Sequence, residues 1–195
     1  MPIVRIYKEP IWKSWIAFTK YPIFTPEQCD FIIQSGQTIQ AEQAKVNTGT
    51  GSKQIYKVRD SQIAWLPFDK CAPVYDVLDK TVHSINRNSF GFEGITIGEE
   101  AQYTEYSKGG FYNWHADCHF EGSSEPSVRK ISMTCMLSDP DEYEGGGFKF
   151  NEKGEYKLKK GYAVFFASFI EHKVEEVTKG IRKSLVCWFS GPPFK

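Results

Sequence analysis

The chain has 195 residues, with 24 basic and 24 acidic side chains that cancel to zero net charge. This length suits one domain with a substantial core, and no charge run or basic stripe indicates a nucleic-acid surface. The longest apolar stretch, at 161–170, is too short to span a bilayer, and the N-terminus lacks the apolar region of a signal peptide. Five cysteines without a CxxC pair favour a reducing compartment. We therefore expect a soluble, cytoplasmic monomer that binds neither membrane nor nucleic acid.

The N-terminal half predicts two helices. Thr25, Pro26 and Gln28 form a capping box with proline in the first turn, and an apolar stripe follows toward Gly36. A second helix opens at Pro73, because apolar residues then repeat at helical spacing as far as residue 85. Residues 44–54 form a polar loop, either a plain connector or a lid over a substrate cleft. Residues 55–66 predict a strand pair.

From residue 95 the pattern changes to short β-like segments separated by glycine and proline turns. The predicted strands cover 95–106, 111–117, 130–138, 147–151, 155–159, 162–167, 172–178 and 181–190. Eight short, evenly spaced strands are typical of a double-sheet jelly roll or sandwich. We predict a mainly β (α+β) single domain over 1–195, with 95–190 as the β core and 1–94 as a helical and extended N-terminal support, its helices on the outside of one sheet.

Three side chains have the chemistry of a metal site. His115 and Asp117 are two residues apart, so on one strand they would point to the same side, and His172 begins another strand-like run. Two imidazoles and one carboxylate bind iron(II) on one face and leave other positions open. His-x-Asp alone is a weak signal, a lone histidine is more often structural, His119 is a rival ligand, and the same residue types suit zinc.

Arg182 strengthens the metal hypothesis. On the last predicted strand Arg182, Ser184, Val186 and Trp188 share one face, and Val174 shares a face with His172. Two antiparallel strands placed in this way would line one pocket with a metal ligand, a guanidinium fork and apolar walls. Such a fork suits a small dicarboxylate. The alternative for Arg182 is a surface cation after a turn.

At this point the sequence resembles the prolyl 4-hydroxylase-like iron(II)/2-oxoglutarate dioxygenases, and in particular the bacterial PKHD-type hydroxylases. The resemblance covers about residues 100–190 through QYTEYSKGGFYNWHAD, RKISMTCMLSDPDEYEGGGFKF and LKKGYAVFFASFIEHKVEEVTKGIRKSLVCWF. The segment VRDSQIAWL at 58–66 is similar to an upstream hydroxylase segment. The resemblance implies the double-stranded β-helix, a jelly roll with external helices, which agrees with the strand pattern.

The resemblance also implies roles for individual residues. His115, Asp117 and His172 would be the catalytic iron ligands, and Arg182 would pair with the distal carboxylate of 2-oxoglutarate. The other residues of the 2-oxoglutarate pocket would be Tyr106, Thr134, Met136 and Val174. Some relatives have a second tyrosine at the position of Met136, so one hydrogen bond to 2-oxoglutarate would be missing. The residues expected to contact the substrate are Tyr112, Arg129, Trp188 and Arg59.

The leading functional hypothesis is an enzyme that uses Fe(II), 2-oxoglutarate and O2, with ascorbate (vitamin C) as a candidate addition. It would hydroxylate a prolyl residue of a peptide or protein partner and release succinate and CO2. Alternatives are hydroxylation of a small molecule or of another residue type, a non-catalytic metal-binding module, and a nucleic-acid-modifying oxygenase. Neutral charge argues against the last. Segments 44–54 and 118–129 are candidate lids.

Overall fold

The computed structural model describes residues 14–39, 42–43, 58–118, 127–151 and 153–194. Three features of the sequence hypothesis lie outside the described residues: the loop 44–54, the rival ligand His119, and most of the candidate lid 118–129. Of the helices in the described ranges, none combines the length and the apolarity needed to cross a membrane.

The first helix, α1 (Pro26–Thr38), begins at the predicted capping box. The Thr25 side chain accepts a hydrogen bond from the Gln28 backbone N–H, and the Gln28 side chain accepts one from the Thr25 backbone N–H. Gly36 lies inside this helix, and a Cβ at this position would overlap the ring of Tyr103 on the adjacent sheet. Glycine therefore lets the helix backbone approach the sheet closely.

The second helix, α2 (Ala72–Ile85), continues into one π-helical turn (Asn86–Phe90) and ends at Gly91, whose φ is 75°. Its predicted apolar stripe is confirmed, since Val74, Leu78 and Val82 are buried. His83 is exposed, and its ring Nδ1 lies 2.8 Å from the Asp79 carbonyl oxygen. His83 is therefore a surface residue of α2.

The strands form two facing antiparallel sheets and a short ribbon. The major sheet has the order β1-β12-β8-β15-β6-β4-β2, with β5 also paired to β15; the minor sheet has the order β11-β10-β13-β7-β3; β14 pairs with β9. The strands are β1 (Ile16–Phe18), β2 (Glu42–Gln43), β3 (Arg59–Asp60), β4 (Gln62–Leu66), β5 (Thr96–Ile97), β6 (Ala101–Tyr106), β7 (Phe111–His115), β8 (Val128–Met136), β9 (Tyr143–Gly145), β10 (Phe148–Phe150), β11 (Lys153–Tyr156), β12 (Ala163–Ala167), β13 (His172–Val174), β14 (Val177–Gly180) and β15 (Arg182–Gly191). The predicted jelly roll with external helices is confirmed.

Two predicted strands are each divided in the structure. The run 95–106 is two strands, β5 and β6, which both belong to the major sheet. The run 172–178 is two strands, β13 in the minor sheet and β14 in the ribbon. Between them the chain turns away from the sheet, because the Gly146 N–H donates to the Glu176 carbonyl and the Glu175 N–H donates to the Gly147 carbonyl. These two bonds join the turn after β9 to the β13–β14 connection.

The two faces of the major sheet have different neighbours, as the alternation along β8 shows. Ile131, Met133 and Cys135 belong to the core cluster beneath the helices, whereas Ser132 and Thr134 alternate with them. Because successive side chains of a strand point to opposite faces, the second set faces the minor sheet. Cys135 and Cys187 are fully buried core residues. The space between the sheets contains the candidate site.

Candidate active site

The two histidines of the predicted metal site are neighbours across the minor sheet. His115 is the last residue of β7, His172 is the first residue of β13, and the two are directly opposite each other in the antiparallel pairing. Their ring centroids are 4.2 Å apart. Backbone pairing of two distant segments therefore brings the imidazoles together.

Asp117 also lies beside the two histidines, but the reason for its position differs from the predicted one. Strand β7 ends at His115, so Asp117 does not share its face through strand alternation. Instead, the backbone N–H groups of Asp117 and Cys118 both donate to the carbonyl oxygen of Ser168, at 2.8 and 3.0 Å. These bonds hold the bend after β7 against the β12–β13 connection and direct the Asp117 carboxylate toward the histidines.

The geometry of the three side chains suits a metal ion. The Nε2 atoms of His115 and His172 lie 3.7 and 3.6 Å from the two carboxylate oxygens of Asp117. One potential ligand atom from each residue lies within 4.8 Å of the others, and this is the one such group found in the described part of the chain. A single ion at the centre can contact all three.

Both imidazoles are held in the tautomer that a metal requires. The Nδ1 of His115 lies 2.7 Å from the Asn113 carbonyl oxygen, and the Nδ1 of His172 lies 3.0 Å from the Ile170 carbonyl oxygen. A carbonyl can only accept, so each Nδ1 carries the hydrogen and each Nε2 presents a lone pair to the site.

Burial and mutual proximity adjust the protonation of the cluster. Burial, reinforced by His172, lowers the pKa of His115 to about 3, which keeps this imidazole neutral near pH 7. For Asp117, burial acts to raise the pKa, but the two imidazoles outweigh it and bring the pKa below the usual carboxyl value. A neutral histidine and an ionised aspartate are the forms that bind a divalent metal.

Buried hydroxyls support the carboxylate. Ser132 and Ser168 are fully buried, and their Oγ atoms are 2.9 Å apart. Ser132 and Trp188 also act to lower the pKa of Asp117, although the Trp188 Nε1 has no hydrogen-bond partner among the described residues. Polar groups of the major sheet therefore lie close to the carboxylate, and the Ser168 carbonyl fixes the Asp117 backbone. Sequence analysis missed Ser132, although its alternation with the predicted pocket residue Thr134 on β8 was a usable signal.

A cavity of about 470 Å³ opens beside the three metal-binding side chains. Four alternate residues of β15 line it, as predicted, namely Arg182, Ser184, Val186 and Trp188. The other predicted residues that line it are Arg59, Tyr106, Tyr112, His115, Asp117, Arg129, Thr134, His172 and Val174. The structure thus brings all but one of the predicted site residues to the same cavity.

Arg182 is a buried cation facing this cavity. Its side chain is 1% exposed, Nη1 donates to the Ser184 hydroxyl at 3.1 Å, and Nε has no hydrogen-bond partner among the described residues. Burial lowers the pKa of Arg182, while Tyr106 and Tyr143 oppose that change. No described carboxylate forms an ion pair with this guanidinium. The site therefore has an unused donor and an uncompensated positive charge, which a carboxylate would satisfy.

Two details of the predicted pocket are corrected. His172 and Arg182 are not on paired strands, because β13 belongs to the minor sheet and β15 to the major sheet. They face each other across the interior of the jelly roll. Met136 does not line the cavity; it packs in the adjoining apolar cluster that includes Tyr106 and Tyr143.

Tyr143 is a residue that sequence analysis missed. It is 3% exposed at the start of β9, and its proximity acts to raise the pKa of Arg182. Its sequence position gave no signal, because Tyr143 is distant from Arg182 along the chain and comes near it only when β9 pairs with β14, where Tyr143 lies opposite Gly180. Tyr143 supplies a hydroxyl near the guanidinium, next to the methionine that stands where some relatives have a tyrosine.

The mouth of the cavity is aromatic and cationic. The Arg129 guanidinium lies 4.0 Å from the Trp188 ring centroid, and Trp188 is 5.9 Å from Trp65. Arg129 also forms a two-point ion pair with Glu99, at 2.7 and 2.5 Å. Trp65 lines the cavity but was not predicted to do so. Cys118 is buried, and burial raises the pKa of its thiol.

Comparisons with known proteins agree with this geometry. Residues 101–190 match the family model of the 2OG-Fe(II) oxygenase superfamily. A PKHD-type hydroxylase of Rippkaea orientalis is 36% identical over 89 residues, which are 44% of this chain and 40% of the relative. The chain thus aligns with less than half the length of that relative.

Solved structures share the fold over nearly the whole chain. The viral collagen prolyl hydroxylase of Paramecium bursaria Chlorella virus-1, in its 2OG complex, has a TM-score of 0.72 and 19% identity, covering 91% of this chain and 97% of that one. A prolyl hydroxylase of Trichoplax adhaerens, in complex with a peptide fragment of hypoxia inducible factor, has a TM-score of 0.66 and 16% identity over 90% and 83% of the two chains. With the family match, these similarities confirm the resemblance seen in the sequence. Residues 101–190 therefore match the 2OG-Fe(II) oxygenase superfamily and are similar to PKHD-type hydroxylases, and the chain shares its fold with solved prolyl hydroxylases.

Proposed function

We propose that the protein is an Fe(II)- and 2-oxoglutarate-dependent dioxygenase that hydroxylates a prolyl residue of a peptide or protein. The observation that carries this proposal is the presence, in one cavity, of the three metal-binding side chains and the buried, uncompensated Arg182. A metal-binding module would need only the first of these features. A buried cation without an acidic partner is costly unless a ligand supplies the anion.

The residues of the metal site fit iron(II). His115, Asp117 and His172 provide two imidazoles and one carboxylate, and their shared opening into the cavity leaves room for other ligands. When bound, iron(II) together with 2-oxoglutarate supplies the activation of O2 for insertion into a C–H bond, with succinate and CO2 as further products. The protein contributes fixed tautomers, an ionised Asp117 and a largely buried site.

The residues that surround Arg182 in the cavity support a 2-oxoglutarate site. The Arg182 guanidinium would pair with a carboxylate of the co-substrate, and the Ser184 hydroxyl holds one of its nitrogens in place. Tyr106 is the direct cross-strand partner of Arg182, and the guanidinium lies 5.3 Å from the Tyr106 ring centroid. Thr134 and Val174 complete the wall as a hydroxyl and an apolar contact.

Two observations support a prolyl substrate, namely the aromatic side chains at the cavity mouth and the similarity to solved prolyl hydroxylases. Tyr112, Trp188 and Trp65 provide flat aromatic surfaces against which a pyrrolidine ring could pack, and Arg129 lies over Trp188. The similar solved structures are described as prolyl hydroxylases, and one of them is in complex with a peptide. A peptide or protein partner follows from this proposal.

Further properties belong to the same proposal. The balance of 24 basic and 24 acidic residues supports a substrate other than nucleic acid. Five free cysteines, all buried, support a reducing, cytoplasmic environment. We also propose that residues 1–195 form one domain that acts as a monomer, with the described part of 1–94 supporting the jelly-roll core. Ascorbate remains a candidate addition to the reaction.

The proposal is tested by incubating the protein with Fe(II), 2-oxoglutarate and proline-containing peptides, and by measuring succinate and a mass gain of one oxygen. We expect both products to require metal and 2-oxoglutarate. Succinate without peptide oxidation would favour a small molecule or another residue type as substrate. Tight zinc binding without any succinate would favour a non-catalytic metal module. Salt-sensitive binding of DNA or RNA would instead favour a nucleic-acid oxygenase.

A further inference from the structure

Arg59 is held rigidly in the cavity wall by neutral partners. Its Nε donates to the Ser61 hydroxyl at 2.7 Å, and Nη2 donates to the Gln102 side-chain oxygen at 2.8 Å. Its guanidinium also lies 4.7 Å from the Tyr112 ring centroid. Two hydrogen bonds and one ring contact fix the orientation of the cation, but none of the three partners carries a negative charge.

The other arginine at the cavity mouth differs in this respect. Arg129 is neutralised by the two-point ion pair with Glu99. No acidic side chain of the described residues forms an ion pair with Arg59. Arg59 is therefore a preorganised cation whose charge no acidic side chain of the described residues balances.

The bound metal and co-substrate would not use this charge. The two positive charges of iron(II) and the one on Arg182 would be balanced by Asp117 and the dianionic 2-oxoglutarate. Arg129 is already balanced by Glu99. With iron(II) and 2-oxoglutarate bound, the described residues of the site would thus keep one excess positive charge, at Arg59. An acidic side chain of the proposed peptide substrate can neutralise this charge.

The position of Arg59 relates this charge to the reacting residue. Tyr112 lies between Arg59 and His115, with its ring centroid 3.5 Å from the His115 ring and 4.7 Å from the guanidinium. An extended peptide advances about 3.3 Å per residue. A side chain about one to three residues from the residue at the metal would therefore reach Arg59.

We propose that Arg59 is a specificity residue that binds an acidic side chain of the peptide, about one to three residues from the hydroxylated position. This inference rests on the proposed function and deepens it by naming the substrate class. Because the guanidinium is already oriented and partly desolvated, it loses little freedom on binding a carboxylate.

The test uses three synthetic peptides with a central proline and three flanking residues on each side that are all glutamate, all glutamine or all lysine. Binding is measured by tryptophan fluorescence with Mn(II)-loaded protein and 2-oxoglutarate without oxygen, and hydroxylation by mass gain. We expect the wild-type protein to bind the glutamate peptide about tenfold more tightly than the glutamine peptide. Arg59→Gln should remove this preference, and Arg59→Glu should shift it to the lysine peptide.

Arg87→Gln is the matched control, because it removes an exposed arginine away from the cavity; it should keep the glutamate preference. Three results would overturn the proposal: no binding of the glutamate peptide, equal binding of the glutamate and glutamine peptides, or a preference that survives Arg59→Gln. A large loss of 2-oxoglutarate affinity in Arg59→Gln would also overturn it, because Arg59 would then serve the co-substrate.

Failure of the proposed function would look different. The glutamate preference in the oxygen-free binding assay could disappear in Arg59→Gln while proline gains no oxygen in air. This result would support the anion site at Arg59 and reject prolyl hydroxylation. Oxygen gain on proline without a charge preference would support prolyl hydroxylation and reject the anion site.

Discussion

His115 and His172 are directly paired residues on antiparallel strands, and their rings lie 4.2 Å apart. Each directs its Nδ1 at the backbone carbonyl oxygen of the residue two positions earlier, Asn113 or Ile170. The metal-binding side chains are thus oriented by the backbone on which they sit. We expect this arrangement to exist before any metal binds.

The first prediction concerns metal affinity. His172→Ala removes one of three ligand atoms while Asp117 and His115 remain, and we expect metal affinity to fall at least about 100-fold, because loss of an outer-shell partner alone costs 10–100-fold. Calorimetric titration of the metal-free protein with Mn(II) or Zn(II) measures this change. His83→Ala, which removes an exposed histidine, should leave the affinity unchanged. Equal affinity of His172→Ala and wild type would reject the metal site.

The second prediction separates the co-substrate site from the metal site. Arg182→Lys keeps a positive charge but removes the planar fork and the bond to Ser184. We expect 2-oxoglutarate affinity to fall by about 30- to 100-fold, corresponding to about 2–3 kcal/mol for a buried charged hydrogen bond. Metal affinity should change little. Titration of 2-oxoglutarate into the Mn(II)-loaded protein tests this, and unchanged affinity would show that the cavity wall at Arg182 is wrongly assigned.

The third prediction compares two glycines with similar backbone angles. Gly146 has φ 63°, and a Cβ there would lie 3.0 Å from both Arg182 Cδ and Val177 Cγ2. Gly109 has φ 88°, and a Cβ there would meet nothing within 4 Å. Gly109→Ala should cost about 1 kcal/mol of backbone strain, and Gly146→Ala about 1–3 kcal/mol more from overpacking.

Urea denaturation measures the two free energies of unfolding, and titration measures 2-oxoglutarate affinity. We expect only Gly146→Ala to weaken 2-oxoglutarate binding, because the added methyl displaces the stem of Arg182. If the two variants lost the same stability and bound the co-substrate equally, the turn would have no part in positioning Arg182.

The fourth prediction assigns two serines to different ligands. Ser132→Ala removes a hydroxyl that bonds Ser168 and supports Asp117, so metal affinity should fall about tenfold. Ser184→Ala removes the hydroxyl that holds Arg182, so 2-oxoglutarate affinity should fall instead. Both residues lie on adjacent strands of the major sheet and are at most 1% exposed, so each serves as the control for the other. An equal effect of both variants on both ligands would indicate general destabilisation.

Alternation along single strands explains why much of the site was predictable. Arg182, Ser184, Val186 and Trp188 do line one cavity, since side chains two residues apart on β15 share a face. The same rule gave the wrong reason for Asp117, because β7 ends at His115 and a bend follows. Strand periodicity is a local property, and it holds only as far as the strand extends.

Contacts between strands were less predictable. The sequence pattern placed His172 and Arg182 on one antiparallel pair, whereas β14 leaves the minor sheet to join β9 and the two residues face each other from different sheets. Met136 was assigned to the cavity but packs beside it, and Tyr143 was missed. Each of these outcomes depends on how separate segments pack, which no local pattern encodes.

The sequence by itself determined the capped first helix, the succession of short strands, the jelly-roll class and the residue types of the metal site. These depend on hydrogen bonds and side-chain periodicity within a few neighbouring residues. Only the tertiary structure decided that the Ser168 carbonyl positions Asp117 and that Tyr143 lies near Arg182. It also decided that, among the described residues, Arg59 has only neutral hydrogen-bond partners whereas Arg129 is paired with Glu99. Charge compensation is the reason for the last difference, because it depends on which distant groups share a wall after the sheets have packed.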